Sequence, residues 1–219
     1  MYNLPTSTIV NRVISKKTLV DQLGANTRMK NHFTNDVIKV VWLAKLAPRT
    51  LNVADGKDVH EISIFLIPLK VKNCPNDIYT FIDGLMPRHT LFILKWNEQV
   101  CLHINYKEWI ESTSKTDKSF TITKTYRSEW MADETLLIDV QGLNMDAIYE
   151  SLVRQVAKGK IDNQGDCLHE DVELANEREL LLKELDTLKF KETSEKQPQK
   201  KFVLHKQIVK LIKKLQYDK

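Results

Sequence analysis

Apolar positions are densest between Asp58 and Ile110, where their spacing predicts strand, helix, strand, tight turn, strand. Val59–Leu69 (VHEISIFLIPL) alternates at first and then turns apolar on both sides. Ile62, Ile64 and Leu66 point one way, and Phe65, Ile67 and Leu69 the other, as expected of a strand covered on both faces. Pro68 cannot donate to a ladder and therefore favours an edge or a strand end. Asn76 or Asp77 caps a short helix through Leu85, with Ile78, Phe81, Ile82 and Leu85 as its apolar stripe. Thr90–Trp96 and Gln99–Lys107 are separated only by Asn97-Glu98, which predicts a hairpin pairing Trp96 with Gln99, Ile93 with Leu102 and Leu91 with Ile104. That register sets Leu91, Ile93, Leu102, Ile104 and Tyr106 on one face, with Phe92, Leu94, Cys101 and His103 on the other.

Around this centre, Ser15–Leu23 reads as a helix stopped at Gly24, and a second helix from Asn26 or Thr27 to about Asp36 buries Met29 and Phe33. Val37–Leu46 is β-branched and aromatic, predicting a strand; its rival is continuation of the preceding helix. Leu51–Val53 reads as a brief extended piece before a turn at residues 54–57. Beyond a polar loop at 111–118, Phe120–Trp130 alternates like a half-exposed strand, and Leu136–Val140 as a short buried segment. Asn144 caps a helix to Ala157 whose apolar face is Met145, Ile148, Tyr149, Leu152 and Val156.

From His169 the pattern changes. Leucines recur at Leu174, Leu181, Leu185 and Leu188, and the spacing resumes after Pro198 at Leu204, Ile208, Leu211 and Leu215. Two amphipathic helices joined by so short a break predict an antiparallel, coiled-coil-like hairpin. The first helix is rich in Glu and Asp, whereas the second carries Lys200, Lys201, Lys206, Lys210, Lys213 and Lys214. The expected architecture is an α+β domain over 1–160, with a mixed, mainly antiparallel sheet and flanking helices, then a linker at 161–167 and a helical hairpin at 168–219. Leu181, Leu185, Leu188, Ile208, Leu211 and Leu215 would form the hairpin's seam and partner-binding arm.

Composition narrows the function classes. The chain has 219 residues, a formal charge of +4 and 42% hydrophobic residues. No apolar run reaches the roughly 20 residues needed to span a bilayer, and the N-terminal MYNLPTSTIVNR lacks the basic start and apolar centre of a signal peptide. Cys74, Cys101 and Cys167 are scattered and odd in number, which fits free thiols in a cytoplasm. Six glycines and no phosphate-cradling loop speak against ATPase, kinase and dinucleotide chemistry, and no cofactor is expected. No catalytic or metal residue is assigned. A metal-dependent nuclease would need an acid, then a second acid two positions before a lysine, at adjacent strand ends. The only such triplet, Asp55-Gly56-Lys57, also reads as an ordinary turn before a strand, which is the favoured reading. Cys101 and His103 share a strand face but fall short of four zinc ligands. Lys206, Lys210, Lys213 and Lys214 are candidate phosphate contacts, as are Lys115, Lys118, Lys124 and Arg127 beside Tyr126 and Trp130.

Several motifs together resemble a bacterial family, domain of unknown function 4391. They are Leu4-Pro5 with Val10-Asn11, Leu46-Ala47-Pro48 with Thr50-Leu51-Asn52, Glu61-Ile62 through Leu69-Lys70, and Pro87 with His89. Tyr106-Lys107-Glu108, Gly142-Leu143-Asn144 and Ile148-Tyr149-Glu150 complete the set. Pro68 departs from the family pattern, which has a polar residue there. The resemblance implies no established activity; it implies small bacterial cytoplasmic proteins encoded near helicase and methyltransferase genes of restriction or phage-defence loci. The expectation is a non-enzymatic accessory subunit with a protein partner of that type and no membrane, the alternative being a DNA-binding or nuclease subunit.

Overall fold

The computed structural model describes residues 2–22, 24–84, 86, 88–110, 119–161 and 167–217. It divides into two compact units, Met1–Lys158 and Gly159–Lys219.

In the first unit, seven strands form one sheet. They are β1 (Ile9–Ile14), β2 (Val40–Leu46), β3 (Ile62–Pro68), β4 (His89–Trp96), β5 (Gln99–Ile110), β6 (Ser119–Arg127) and β7 (Met131–Ala132). The first six stand in sequence order, and β7 pairs with β5. Neighbouring described strands are antiparallel except β3 and β4, which run parallel. A parallel pair needs a crossover, here supplied by α4 (Asp77–Gly84). Helices α1 (Lys16–Gln22), α2 (Thr27–Asn35) and α3 (Pro48–Leu51) precede it, and α5 (Met145–Ala157) follows the sheet.

The central expectations hold. The β4–β5 ladder pairs Trp96 with Gln99, Ile93 with Leu102 and Leu91 with Ile104, and Asn97 takes the left-handed conformation (φ 52°) that a two-residue turn needs. Both faces of β3 are covered, with Ile62, Ile64, Phe65 and Ile67 buried, and Pro68 is its last residue. Phe65, Ile67, Phe92, Leu94 and Cys101 pack with Phe33 of α2 and Ile78, Tyr79 and Ile82 of α4. At α5, the Asn144 side chain accepts from the Ala147 amide, and Met145, Ile148, Leu152 and Val156 are buried as the stripe requires.

Three segments depart from expectation. Leu136–Val140 is buried only at Leu136 and Ile138, with Leu137 65% exposed and Val140 half-buried. Leu51–Val53 is not an extended piece: Pro48 opens the one-turn helix α3, the Ala47 amide donates to Thr50 Oγ1 at 2.9 Å, and Asn52 ends it with φ 56°. Proline suits a first helical position because its missing N–H has no helical partner there. Strand β1 had no signal. Ile9–Ile14 does not alternate cleanly, since Asn11 sits at φ 49° where the register with β2 shifts.

In the second unit, α6 (Leu168–Ser194) and α7 (Pro198–Tyr217) pack on each other. Leu185 and Ile208 are buried, while Leu181, Leu188, Leu204, Leu211 and Leu215 are half-buried. Leu174 is a correction: it is largely exposed, although its heptad position matches the seam. Residues 162–166 of the expected linker lie outside the described residues.

Candidate functional site

The densest polar constellation lies inside the first unit, on the face of β4 and β5 that α4 covers. Asp83, in the last turn of α4, is fully buried. Its carboxylate accepts from Thr90 Oγ1, from Asn105 Nδ2 at 2.8 Å and from Lys107 Nζ at 2.6 Å. The Lys107 side chain, 1% exposed, also donates to the carbonyls of Asp83 (2.7 Å), Met86 (3.2 Å) and Arg88 (2.8 Å). Those carbonyls belong to the end of α4 and the segment feeding β4, groups that a helix leaves unsatisfied. One buried ammonium therefore caps the crossover helix and ties its exit to β5. Burial pushes the Asp83 carboxyl up and pulls Lys107 down, each opposed by the partner's charge.

A second layer surrounds this clamp. The Tyr149 hydroxyl donates to the Asn105 carbonyl (2.9 Å) and accepts the Lys107 amide (3.2 Å), while Asn105 Oδ1 accepts from Thr125 (2.8 Å). His89 lies between Tyr149 and Phe120, with ring centroids 4.2 and 5.2 Å away. Burial, and then the Lys107 charge, hold its pKa down to about 3, so it is neutral at physiological pH. Nearby, the buried Glu61 pairs with Lys45 (2.5 Å) and with Arg88.

The acid-x-lysine chemistry can now be placed. Asp55-Gly56-Lys57 is a loop: Asp55 Oδ1 lies 3.0 Å from His60 Nδ1, and the Asp146 carboxylate gathers the amides of Lys57 (2.6 Å), Asp58 (3.2 Å) and Val59 (2.8 Å). Among the described residues, the lysine faces no carboxylate pair. Two other lysines sit in the strand context that the motif needs. At the adjoining ends of β2 and β3, Ile38 N donates to Pro68 O and Lys70 N to Asp36 O, flanking a Val37–Leu69 bridge. Alternation then puts Asp36, Pro68 and Lys70 on one side and the buried Val37 and Leu69 on the other. A proline stands where the second carboxylate would be. Asp36 is held by His32 Nδ1 at 2.6 Å, and Lys70 Nζ donates to the Thr34 carbonyl at 2.7 Å. In the buried clamp the triplet is Asn105-Tyr106-Lys107, an amide in place of the acid. Both near-motifs are closed by the protein's own groups.

A family model covers residues 2–215 of this chain. The chain belongs to DUF4391, a domain of unknown function. No curated protein and no solved structure matches it. The residues that make the chain resemble DUF4391 fall on structural locks: Thr50 caps α3, Glu61 holds Lys45 and Arg88, Lys107 clamps α4, Asn144 caps α5, and Tyr149 bridges into β5. Gly142 belongs with them, because a Cβ there would stand 2.6 Å from the Ile148 amide nitrogen.

Cys101 and His103 do share a face of β5, as read from the sequence, but both are buried beneath α4. His103 packs on the rings of Tyr79 and Phe92 at 4.8 and 5.9 Å, and burial holds its pKa down to about 3. Cys101 Sγ accepts from Arg127 Nε at 3.4 Å, and no group of three metal-ligating side chains occurs among the described residues. The expected basic cluster near β6 is described only in part. Tyr126 is buried, Arg127 turns to Cys101 and to the Trp130 ring 5.4 Å away, and Lys115 and Lys118 lie outside the described residues. In the hairpin, Lys206, Lys210, Lys213 and Lys214 are all exposed, with Lys206 Nζ 4.6 Å from the Phe202 ring centre.

The pairing of Asp83 with Asn105 and Lys107 went unread in the sequence. The signal was present: continuing the Cys101–His103 alternation along β5 reaches Asn105 and Lys107 on the core side of a central strand. Polar side chains at such positions are either paired or costly.

Proposed function

We propose that this chain is a non-enzymatic accessory subunit that docks a protein partner, acting in the cytoplasm within a bacterial DNA-processing assembly of the restriction or phage-defence type. The observation that carries the reading is the hairpin. It exposes Leu174, Leu180, Leu182, Phe190, Phe202, Val203 and Val209, an apolar load that favours contact with another protein. The buried clamp adds support, because an ammonium whose donors all meet Asp83 and three carbonyls is engaged in holding the fold. The link to defence systems rests on the family resemblance.

The test is co-expression with helicase- and methyltransferase-type proteins encoded beside the gene, followed by capture on the tagged full chain. Binding to one of them, lost in Leu180→Glu/Val203→Glu at unchanged helix content, is the expected result. Mg²⁺- or Mn²⁺-dependent DNA cleavage that disappears in Asp36→Asn would overturn it.

The exposed lysines of α7 favour a second reading, phosphate contact with nucleic acid. Filter binding that weakens steeply with salt and collapses on changing Lys206, Lys210, Lys213 and Lys214 to Glu would establish it.

A further inference from the structure

The hairpin's exposed apolar side chains are not scattered evenly. At about 100° per residue around each helix, measured from the buried seam residues Leu185 and Ile208, Leu182 and Phe190 stand at about 60° and 140°, and Phe202 and Val209 at about 120° and 100°. Two antiparallel helices facing each other are related by a two-fold axis normal to their common plane, so like angles point to the same side. Leu182 (46% exposed), Phe190 (76%), Phe202 (59%) and Val209 (40%) therefore share one side of the hairpin. Leu180 and Val203, at about −140°, share the opposite side.

These positions are also level with one another. Counted outward from Lys196, at the centre of the break between α6 and α7, Phe190 and Phe202 are equally distant, and so are Asp186 and Lys206. Leu182 and Val209 differ by a single residue. At about 100° and 160°, Asp186 and Lys206 fall on the same side as the apolar four.

We propose that this side of the hairpin binds a second copy of the chain face to face, about a two-fold axis parallel to the helices. That operation lays α6 of one copy across α7 of the other, antiparallel. It stacks Phe190 on the second copy's Phe202 and Leu182 on its Val209, and sets Asp186 against its Lys206. Each contact occurs twice, as a closed two-fold interface requires. The charges choose this arrangement over its competitor: α6 is rich in Glu and Asp, whereas α7 holds six lysines and no acid, so α6 on α6 or α7 on α7 would set like charges together. The size is adequate. Helices of 27 and 20 residues are about 40 and 30 Å long, and two side by side offer a face near the roughly 800 Å² per partner of a stable complex. Dimerisation would also turn a two-helix hairpin, whose seam among the described residues has only Leu185 and Ile208 buried, into a four-helix core.

The proposal deepens the interaction reading by naming one partner, and it fails separately: a monomeric protein would overturn it and leave capture through Leu180 and Val203 standing. The test is sedimentation equilibrium of the full chain with charge-swapped variants. Wild type should be dimeric at micromolar concentration. Phe190→Glu/Phe202→Glu, Asp186→Lys and Lys206→Asp should each weaken the dimer tenfold or more with unchanged circular dichroism. An equimolar mixture of Asp186→Lys and Lys206→Asp should restore it, because each chain then meets an opposite charge on the other at both contacts. A wild-type monomer at 100 µM, a dimer indifferent to these changes, or a mixture that stays monomeric would each overturn the proposal.

Discussion

Replacing Lys107 by Met tests the clamp that organises the first unit. Methionine keeps the volume of the lysine stem but removes the charge, leaving Asp83 buried beside only Thr90 and Asn105. It also strips the donor from the carbonyls of Asp83, Met86 and Arg88. Removing one partner of a buried ion pair costs about 3–5 kcal/mol, because the other charge stays desolvated. At about 2–4 °C per kcal/mol for a domain of this size, the melting temperature should fall by about 6–20 °C. Urea denaturation followed by circular dichroism would supply the free energies, with Asp83→Asn and the double variant beside it. The double variant removes both charges, so it should be more stable than the sum of the single losses predicts by about 1–3 kcal/mol. The reasoning is refuted if Lys107→Met unfolds within 1 kcal/mol of wild type, or if the two losses simply add.

Acid should unfold the first unit through its two buried imidazoles. His89 and His103 sit at about 3 in the folded protein against 6.5 for the free side chain, so the unfolded chain binds more protons between those values. Their contribution is fully present above pH 6.5 and is lost as pH falls from there towards 3. Near pH 4.5 each would cost about 2–3 kcal/mol, and His103→Phe should flatten that stretch of a stability–pH curve. Gly142→Ala forces a methyl towards the Ile148 amide and the Ala147 carbonyl carbon at the start of α5, and should cost about 1–3 kcal/mol with faster amide exchange in that helix; unchanged exchange there would count against the close approach.

The local pattern of this sequence determined much of the fold by itself. The alternation of β4 and β5, with only Asn97-Glu98 between them, left one register that buries Leu91, Ile93, Leu102 and Ile104 together, and the structure has that register. Caps at Asn26 and Asn144 act over three residues, so they too were legible. The apolar spacing predicted two amphipathic helices, and α6 and α7 do pack on each other, because 3.6-residue periodicity is a property of each helix alone. What escaped was non-local. Lys107 meets Asp83 across 24 positions, and Asp146 meets the amides of 57–59 across more than 80. No periodicity encodes such a pairing, because it exists only after the sheet has brought separate segments together. The same holds for the acid-x-lysine question. Sequence alone singled out Asp55-Gly56-Lys57, while strand adjacency pointed to Pro68–Lys70 and Asn105–Lys107. An ion pair's sequence partners are degenerate across 62 charged residues, and only distance in the folded chain selects among them.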